Sequence, residues 1–125
     1  KAIRIHHFKC NKDCKNSCAS LSQCKHAQYK CYVYVDNDQL KEGWSRDRIV
    51  HEIETRGVPC FQGGCSEVYL EKAFEAASFK PKNRLPIAKT LGDTSLMFLV
   101  HPTLTQENIE KTKEVITDVL SLASI

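Results

Sequence analysis

The run "SLMFLVHP" (residues 95–102) restricts the fold of this chain more than any other stretch. Leucine, methionine, phenylalanine, leucine and valine follow one another from Leu96 to Val100, closed off by Asp93-Thr94 on one side and Pro102 on the other. A run this short, apolar without alternation, reads as a strand buried on both faces. Such a strand needs paired neighbours and helices packed over its sheet.

The remaining elements follow from local pattern. "YKCYVYVD" (29–36) crowds aromatic and β-branched residues into a strand that Asp-Asn-Asp ends. Alternation puts Tyr32 and Tyr34 on one face and Cys31, Val33 and Val35 on the other. "GWSRDRIVHEIETRG" is a helix with both ends marked. Ser45 caps it, Asp47 suits its positive end, and Ile49, Val50 and Ile53 make its buried stripe. Gly57 is placed as a left-handed stop, with Pro59 blocking continuation. "SEVYLEKAFEAA" predicts a short helix, and "PKNRLPIAKTLGD" a second around Ile87 to Leu91, stopped at Gly92. A last helix starts near Thr105 and runs to about Leu122, with Ile109, Val115, Ile116, Val119 and Leu120 on its apolar side. Strand, helix, a possible short strand, helices, strand, helix is the order of a two-layer α/β (α+β) sandwich with a small sheet.

With 125 residues there is room for one domain and a real core. A net charge of +3 spread over scattered lysines and arginines is no nucleic-acid footprint. No apolar window is long enough to span a membrane, and no leader pattern opens the chain. The expectation is therefore a reducing, cytoplasmic setting, with most of the seven cysteines as free thiols. The chain opens at Lys1 with "KAIRIHHFKC", which reads like the middle of a longer sequence. Residues 1–26 are expected to be an irregular, cysteine-containing lead-in, and 27–125 the folded domain.

Candidate sites compete with plainer roles. Cys10, Cys14 and Cys18 are spaced four apart and Cys24 follows. On a helix that spacing lines up three thiols, which suits zinc or an iron–sulfur cluster. The paired short spacings of a zinc knuckle are absent from this group, so free thiols are the plainer reading. Cys31 reads as a core residue. Cys60 and Cys65 bracket "CFQGGC", whose Gly63-Gly64 pair suits a flexible turn better than a phosphate loop. Glu67 and Glu71, four apart on the expected helix, read as solvent-facing. Arg84 is a possible anion ligand. His6, His7, His26 and His51 have no fixed partner, whereas His101 ends the apolar strand, where a side chain can face a cleft. No complete catalytic set emerges.

Three pieces carry a resemblance: "YKCYVYVD", "GWSRDRIVHEIETRGVPCFQGGCSEVYLEKAF" and "RLPIAKTLGDTSLMFLVHPTLTQENIEKT". In this order they resemble the C-terminal small domain of the DegT/DnrJ/StrS-type sugar aminotransferases, which are fold-type I pyridoxal-phosphate enzymes. The most specific parts are Gly57-Val58-Pro59 and the stretch 95–105 with His101-Pro102. The resemblance implies a small, mostly antiparallel sheet packed by helices. It implies amino transfer from an amino acid, usually glutamate, to a keto group on a nucleotide-linked sugar used in polysaccharides, glycans or antibiotics. The lysine that holds the cofactor belongs to the family's large domain, and no segment here matches it. The chain is thus expected to be a fragment with no catalytic residue and no cofactor of its own, pairing with its large domain and a second subunit. The resemblance also implies that Cys60, Phe61, Gln62, Gly63 and Gly64 form one wall of the substrate cleft. Tyr69 would pack or bond behind it, and His101 would face the same space. Many family members carry a tyrosine-proline-histidine cluster in place of "CFQGGCSEVY". The alternative reading is a free-standing binding or regulatory domain, metal-loaded through Cys10, Cys14, Cys18 and Cys24.

Overall fold

The computed structural model of the chain describes residues 3–5 and 29–125. Its elements in chain order are β1 (Ile3–Ile5), β2 (Lys30–Val35), α1 (Arg46–Thr55), β3 (Cys60–Phe61), α2 (Pro86–Thr94), β4 (Ser95–Leu99) and α3 (Gln106–Ala123). The strands form one antiparallel sheet in the order β1-β2-β4-β3. The apolar run is β4, an inner strand, and its residues Ser95, Leu96, Met97 and Phe98 are all buried.

Register decides what each face holds. Val33 lies opposite Leu96, and both Cys31 and Cys60 lie opposite Phe98. Strand alternation sends Val33, Val35, Cys60, Leu96 and Phe98 to one side. There they meet Ile49, Val50 and Ile53 of α1, Val58, and Val119 and Ala123 of α3, and together these make the core. The other side carries Tyr32, Tyr34, Ser95, Met97 and Phe61, which are cross-strand partners of one another. Tyr34 shares a pocket there with Thr90 and Thr94 of α2. The two-layer α+β architecture expected from the sequence is the one observed.

The helix ends are set by local chemistry. Ser45 Oγ accepts from the Arg48 amide at 3.2 Å, capping α1. Its far end turns on Gly57 at φ 76°. There the Gly57 amide donates to the Glu54 carbonyl at 2.9 Å and the Val58 amide to that of Ile53 at 3.3 Å. This doubled bonding satisfies the last carbonyls and folds Val58 back into the core. At α3 the Thr105 hydroxyl accepts from the Asn108 amide at 3.2 Å. The Asn108 side chain accepts from the Thr105 amide at 3.1 Å, closing a reciprocal cap.

Four features depart from the sequence expectation. Ile3–Ile5 pairs with β2, although the opening stretch showed little regular pattern. The short helix expected in "SEVYLEKAFEAA" is two 3-10 turns, Val68–Leu70 and Lys72–Phe74, separated by Glu71 in an extended conformation. Gly92 lies inside α2 and does not stop it. Its missing side chain serves packing, because a Cβ there would collide with the Ser66 hydroxyl. Ile109, expected on the buried stripe of α3, is exposed at 51%. It borders an apolar groove of about 420 Å³, shared with Val58, Phe98, Val100, Leu104 and Ile116.

Two substitutions test this architecture by urea unfolding of the chain. Ile53→Ala removes a fully buried side chain at the α1 core contact and is expected to cost about 3 kcal/mol. Gly57→Ala forces a side chain into left-handed backbone, with an expected cost of about 1 kcal/mol. An unchanged unfolding midpoint in either variant contradicts the assignment.

Candidate functional site

The two residues of β3 part company at the sheet. Cys60 is wholly buried on the core face, while Phe61 is 42% exposed on the other. Burial pushes the Cys60 thiol up to about 11; the Glu54 charge adds to this, and a hydrogen bond with the Phe61 backbone opposes it. Cys60 was expected in the cleft wall, and strand alternation instead makes it a core residue. Cys31 is half-buried, and burial raises its thiol as well. Cys65 is exposed, with its sulfur 3.5 Å from Glu71 Oε1.

Beyond Phe61 the chain makes a tight turn over the start of β4. The Gln62 carbonyl accepts from Ser95 Oγ at 2.6 Å. The Gly64 amide donates to Tyr32 Oη at 3.1 Å, so this amide is already used within the fold and not held open for a phosphate. Gly63 adopts φ 100°, and a Cβ there would stand 2.8 Å from the Tyr32 ring. Only glycine combines that backbone with that approach. Arg46, which the sequence reading passed over, ties the turn to its surroundings. Its Nη1 donates to the carbonyls of Gly92 and Ser95, each at 2.9 Å. A longer bond of 3.5 Å reaches the Gln62 carbonyl. Its Nε donates to Asp47 Oδ1 at 2.7 Å, and the Gln62 amide nitrogen donates to the same oxygen at 3.0 Å. One signal was present in the sequence. An arginine in the first turn of a helix opposes the helix dipole, so its charge has to be used elsewhere.

Tyr69 belongs to a second assembly. Its hydroxyl donates to Glu67 Oε1 at 2.7 Å and accepts from the Leu85 amide at 2.9 Å. Arg84 grips the same carboxylate in a two-point fork, at 2.8 Å to Oε1 and 2.5 Å to Oε2. Glu67 was expected to face solvent, yet its side chain is only 13% exposed. The Arg84 bonds, helped by Tyr69, pull its carboxyl down to about 2. Burial, with the Glu67 bond, raises the Tyr69 phenol. Tyr69 is therefore spent on holding segment 67–85 together, and Arg84 is occupied by Glu67. These long-range bonds also explain why local helix propensity loses in this segment.

His101 stands apart. It caps its own turn: Thr103 Oγ1 lies 2.7 Å from Nδ1, the Thr103 amide donates to Nδ1 at 3.3 Å, and the Leu104 amide donates to the His101 carbonyl at 3.1 Å. An Nδ1 that accepts places the proton of the neutral ring on Nε2. Ser95 touches the 62–64 turn, and His101 follows it by six residues of mostly extended chain, roughly 20 Å away at strand rise. The structure thus groups Phe61, Gln62, Gly63 and Gly64, sets Tyr69 in the neighbouring clasp, and leaves His101 at the opposite end of β4. Cys10, Cys14, Cys18 and Cys24 lie outside the described residues. Among the described residues no group of three histidines, cysteines or carboxylates is placed to hold a metal. None of their helices is long and apolar enough to cross a membrane.

An antiparallel sheet backed by two helices, with a glycine turn pinned over its inner strand, is the class of domain that the geometry defines. The X-ray structure of the aminotransferase from Psychrobacter cryohalolentis is similar to it, with a TM-score of 0.73 and 60% sequence identity over 78% of this chain. The chain covers 25% of that protein, about a quarter of its length. No protein-family model matches the chain, and no curated protein matches it. The chain is, by fold and by sequence, related to an aminotransferase.

Two measurements check the site. Glu67 has a folded-state pKa of about 2, below the usual carboxylate value of roughly 4.3. Its ionised form thus contributes stability above that usual value, and the contribution is lost as pH falls towards 2. A carboxyl-carbon NMR titration is expected to show its midpoint near 2 and an upward move in Arg84→Met. A midpoint already at the ordinary value in the unaltered chain contradicts the clasp. With an alkylating reagent at neutral pH, Cys65 is expected to react in the folded chain and Cys60 only after unfolding. Equal labelling of the two would place Cys60 wrongly.

Proposed function

We propose that this chain acts as the C-terminal small domain of a pyridoxal-phosphate-dependent aminotransferase. Its proposed reaction moves an amino group from an amino acid to a keto group on a nucleotide-linked sugar, in the cytoplasm, for polysaccharide or glycan synthesis. The observation that carries the reading is the 60% identity to a solved aminotransferase over 78% of this chain. The sugar substrate is supported by the resemblance of "RGVP" and "LPIAKTLGDTSLMFLVHPTLT" to the DegT/DnrJ/StrS-type enzymes.

Pyridoxal phosphate, when bound, supplies the electron sink for amino transfer. The described residues do not fit its holding. None of their lysines is buried, and no buried side-chain nitrogen or oxygen lacks a hydrogen-bond partner. The lysine for the cofactor is assigned to a large domain, and a second subunit completes the enzyme. The part left to this chain is recognition. Phe61 offers an exposed ring, and the 62–64 turn, fixed by Ser95, Tyr32 and Arg46, offers a rigid polar edge beside it. Such a wall positions a substrate and excludes water without touching protons in the reaction.

Steady-state kinetics of a complete aminotransferase carrying this domain test the reading. Phe61→Ala is expected to raise KM for the nucleotide sugar about tenfold, with kcat nearly unchanged. His101→Ala, at the far end of β4, is expected to leave that KM within about twofold. An unchanged KM in Phe61→Ala would remove the wall from the substrate site.

A further inference from the structure

Gln62 is held at two points. Its carbonyl accepts from Ser95 Oγ at 2.6 Å and, more weakly, from Arg46 Nη1 at 3.5 Å. Its side-chain nitrogen donates to Asp47 Oδ1 at 3.0 Å. That oxygen is itself aligned by Arg46 Nε at 2.7 Å. Arg46 has little freedom, since its side chain is 12% exposed and its Nη1 donates to the Gly92 and Ser95 carbonyls at 2.9 Å. A planar guanidinium held on one edge by fixed backbone oxygens presents its other donors in a fixed direction. A carboxylate can only accept, so Asp47 selects the nitrogen of the Gln62 amide. The amide oxygen is then what Gln62, an exposed residue beside Phe61, has to offer a ligand.

We infer that Arg46 and Asp47 are positioning residues for substrate choice, orienting the Gln62 amide so that its oxygen accepts a hydrogen bond from a hydroxyl or amide N–H of the acceptor sugar. The inference rests on the proposed reading of residues 61–64 as the sugar-facing wall. Neither Arg46 nor Asp47 touches the sugar in this arrangement. The Gln62 oxygen discriminates by chemistry: a keto oxygen or an ionised phosphate has no hydrogen to give it, whereas sugar hydroxyls and acylamino groups do. Substrates that lack the donor leave this oxygen without a partner in the complex, which is where selectivity of this kind arises.

Asp47 is the residue to vary, because its side chain is 66% exposed and its loss does not open the core. In the complete aminotransferase, Asp47→Ala is expected to raise KM for the nucleotide sugar about fivefold, leaving kcat and the amino-donor KM unchanged. Asp47→Asn keeps an acceptor oxygen on the same stem and is expected to return KM close to the starting value. Gln62→Leu should match Asp47→Ala, and the double variant should be no worse than Gln62→Leu alone, since both act through one amide. In nitrogen-15 spectra of the 125-residue chain, the Gln62 side-chain amide signals should move in Asp47→Ala and hold their place in Asp47→Asn. A raised KM in Gln62→Leu beside an unchanged one in Asp47→Ala, or effects that add in full, overturns the positioning role and leaves the wall standing. If Gln62→Leu leaves KM unchanged while Phe61→Ala raises it, the wall stands without Gln62 and this inference fails; if neither variant raises KM, the wall reading fails and takes the inference with it.

Discussion

A strand with apolar side chains on both faces cannot lie at a surface, and the burial of β4 organises everything around it. Leu96 and Phe98 draw α1 and α3 over one face of the sheet. Ser95 and Met97 on the other face are buried as well. At Ser95 the cover is the 62–64 turn, where the φ of Gly63 and the approach of the Tyr32 ring from β2 leave room for glycine alone. Bringing backbone that near a buried strand creates polar groups that need partners. Ser95 Oγ, Tyr32 Oη and the Arg46 guanidinium supply them. The hydrogen-bonded edge at residues 62–64 is thus a consequence of covering the apolar strand β4.

Arg46 joins the parts that this cover requires. It starts α1, reaches the carbonyls of Gly92 near the end of α2 and of Ser95 at the start of β4, and touches the turn at Gln62. The C-terminal end of a helix carries partial negative charge, which favours a cation at Gly92. A second clasp, Glu67 with Arg84 and Tyr69, fixes the long connection between β3 and α2. The two assemblies divide the work: one shapes the edge that residues 61–64 present, and the other keeps the following segment in place.

Features written in neighbouring residues were legible before the fold was known. Ser45 as a cap, Gly57 as a left-handed stop and Thr105 as a helix start all depend on contacts within a few residues. The double burial of β4 and the two faces of β2 were legible from apolar pattern. Features set by distant partners were not. β3 is only two residues long, too short for an alternation pattern that separates an inward Cys60 from an outward Phe61. Glu67 looked solvated because nothing nearby announces Arg84, 17 positions away. Gly92 resembled a stop because its contact with Ser66 is invisible in sequence. His101 and the glycine turn seemed to share a cleft, but register puts them at opposite ends of one strand. The resemblance put residues 61–64 forward as a wall, and it gave no sign of the arginine that ties Gln62 to its surroundings.

The central proposal, that this chain is the small domain of a larger aminotransferase, is tested most directly by reading the coding DNA upstream of Lys1. The result expected is an open frame long enough for the roughly three quarters of the Psychrobacter enzyme that this chain does not cover, with a lysine set in a fold-type I large domain. A stop codon immediately before Lys1, or a start codon a few codons upstream, would contradict the claim. It would make the domain free-standing and turn attention to Cys10, Cys14, Cys18 and Cys24.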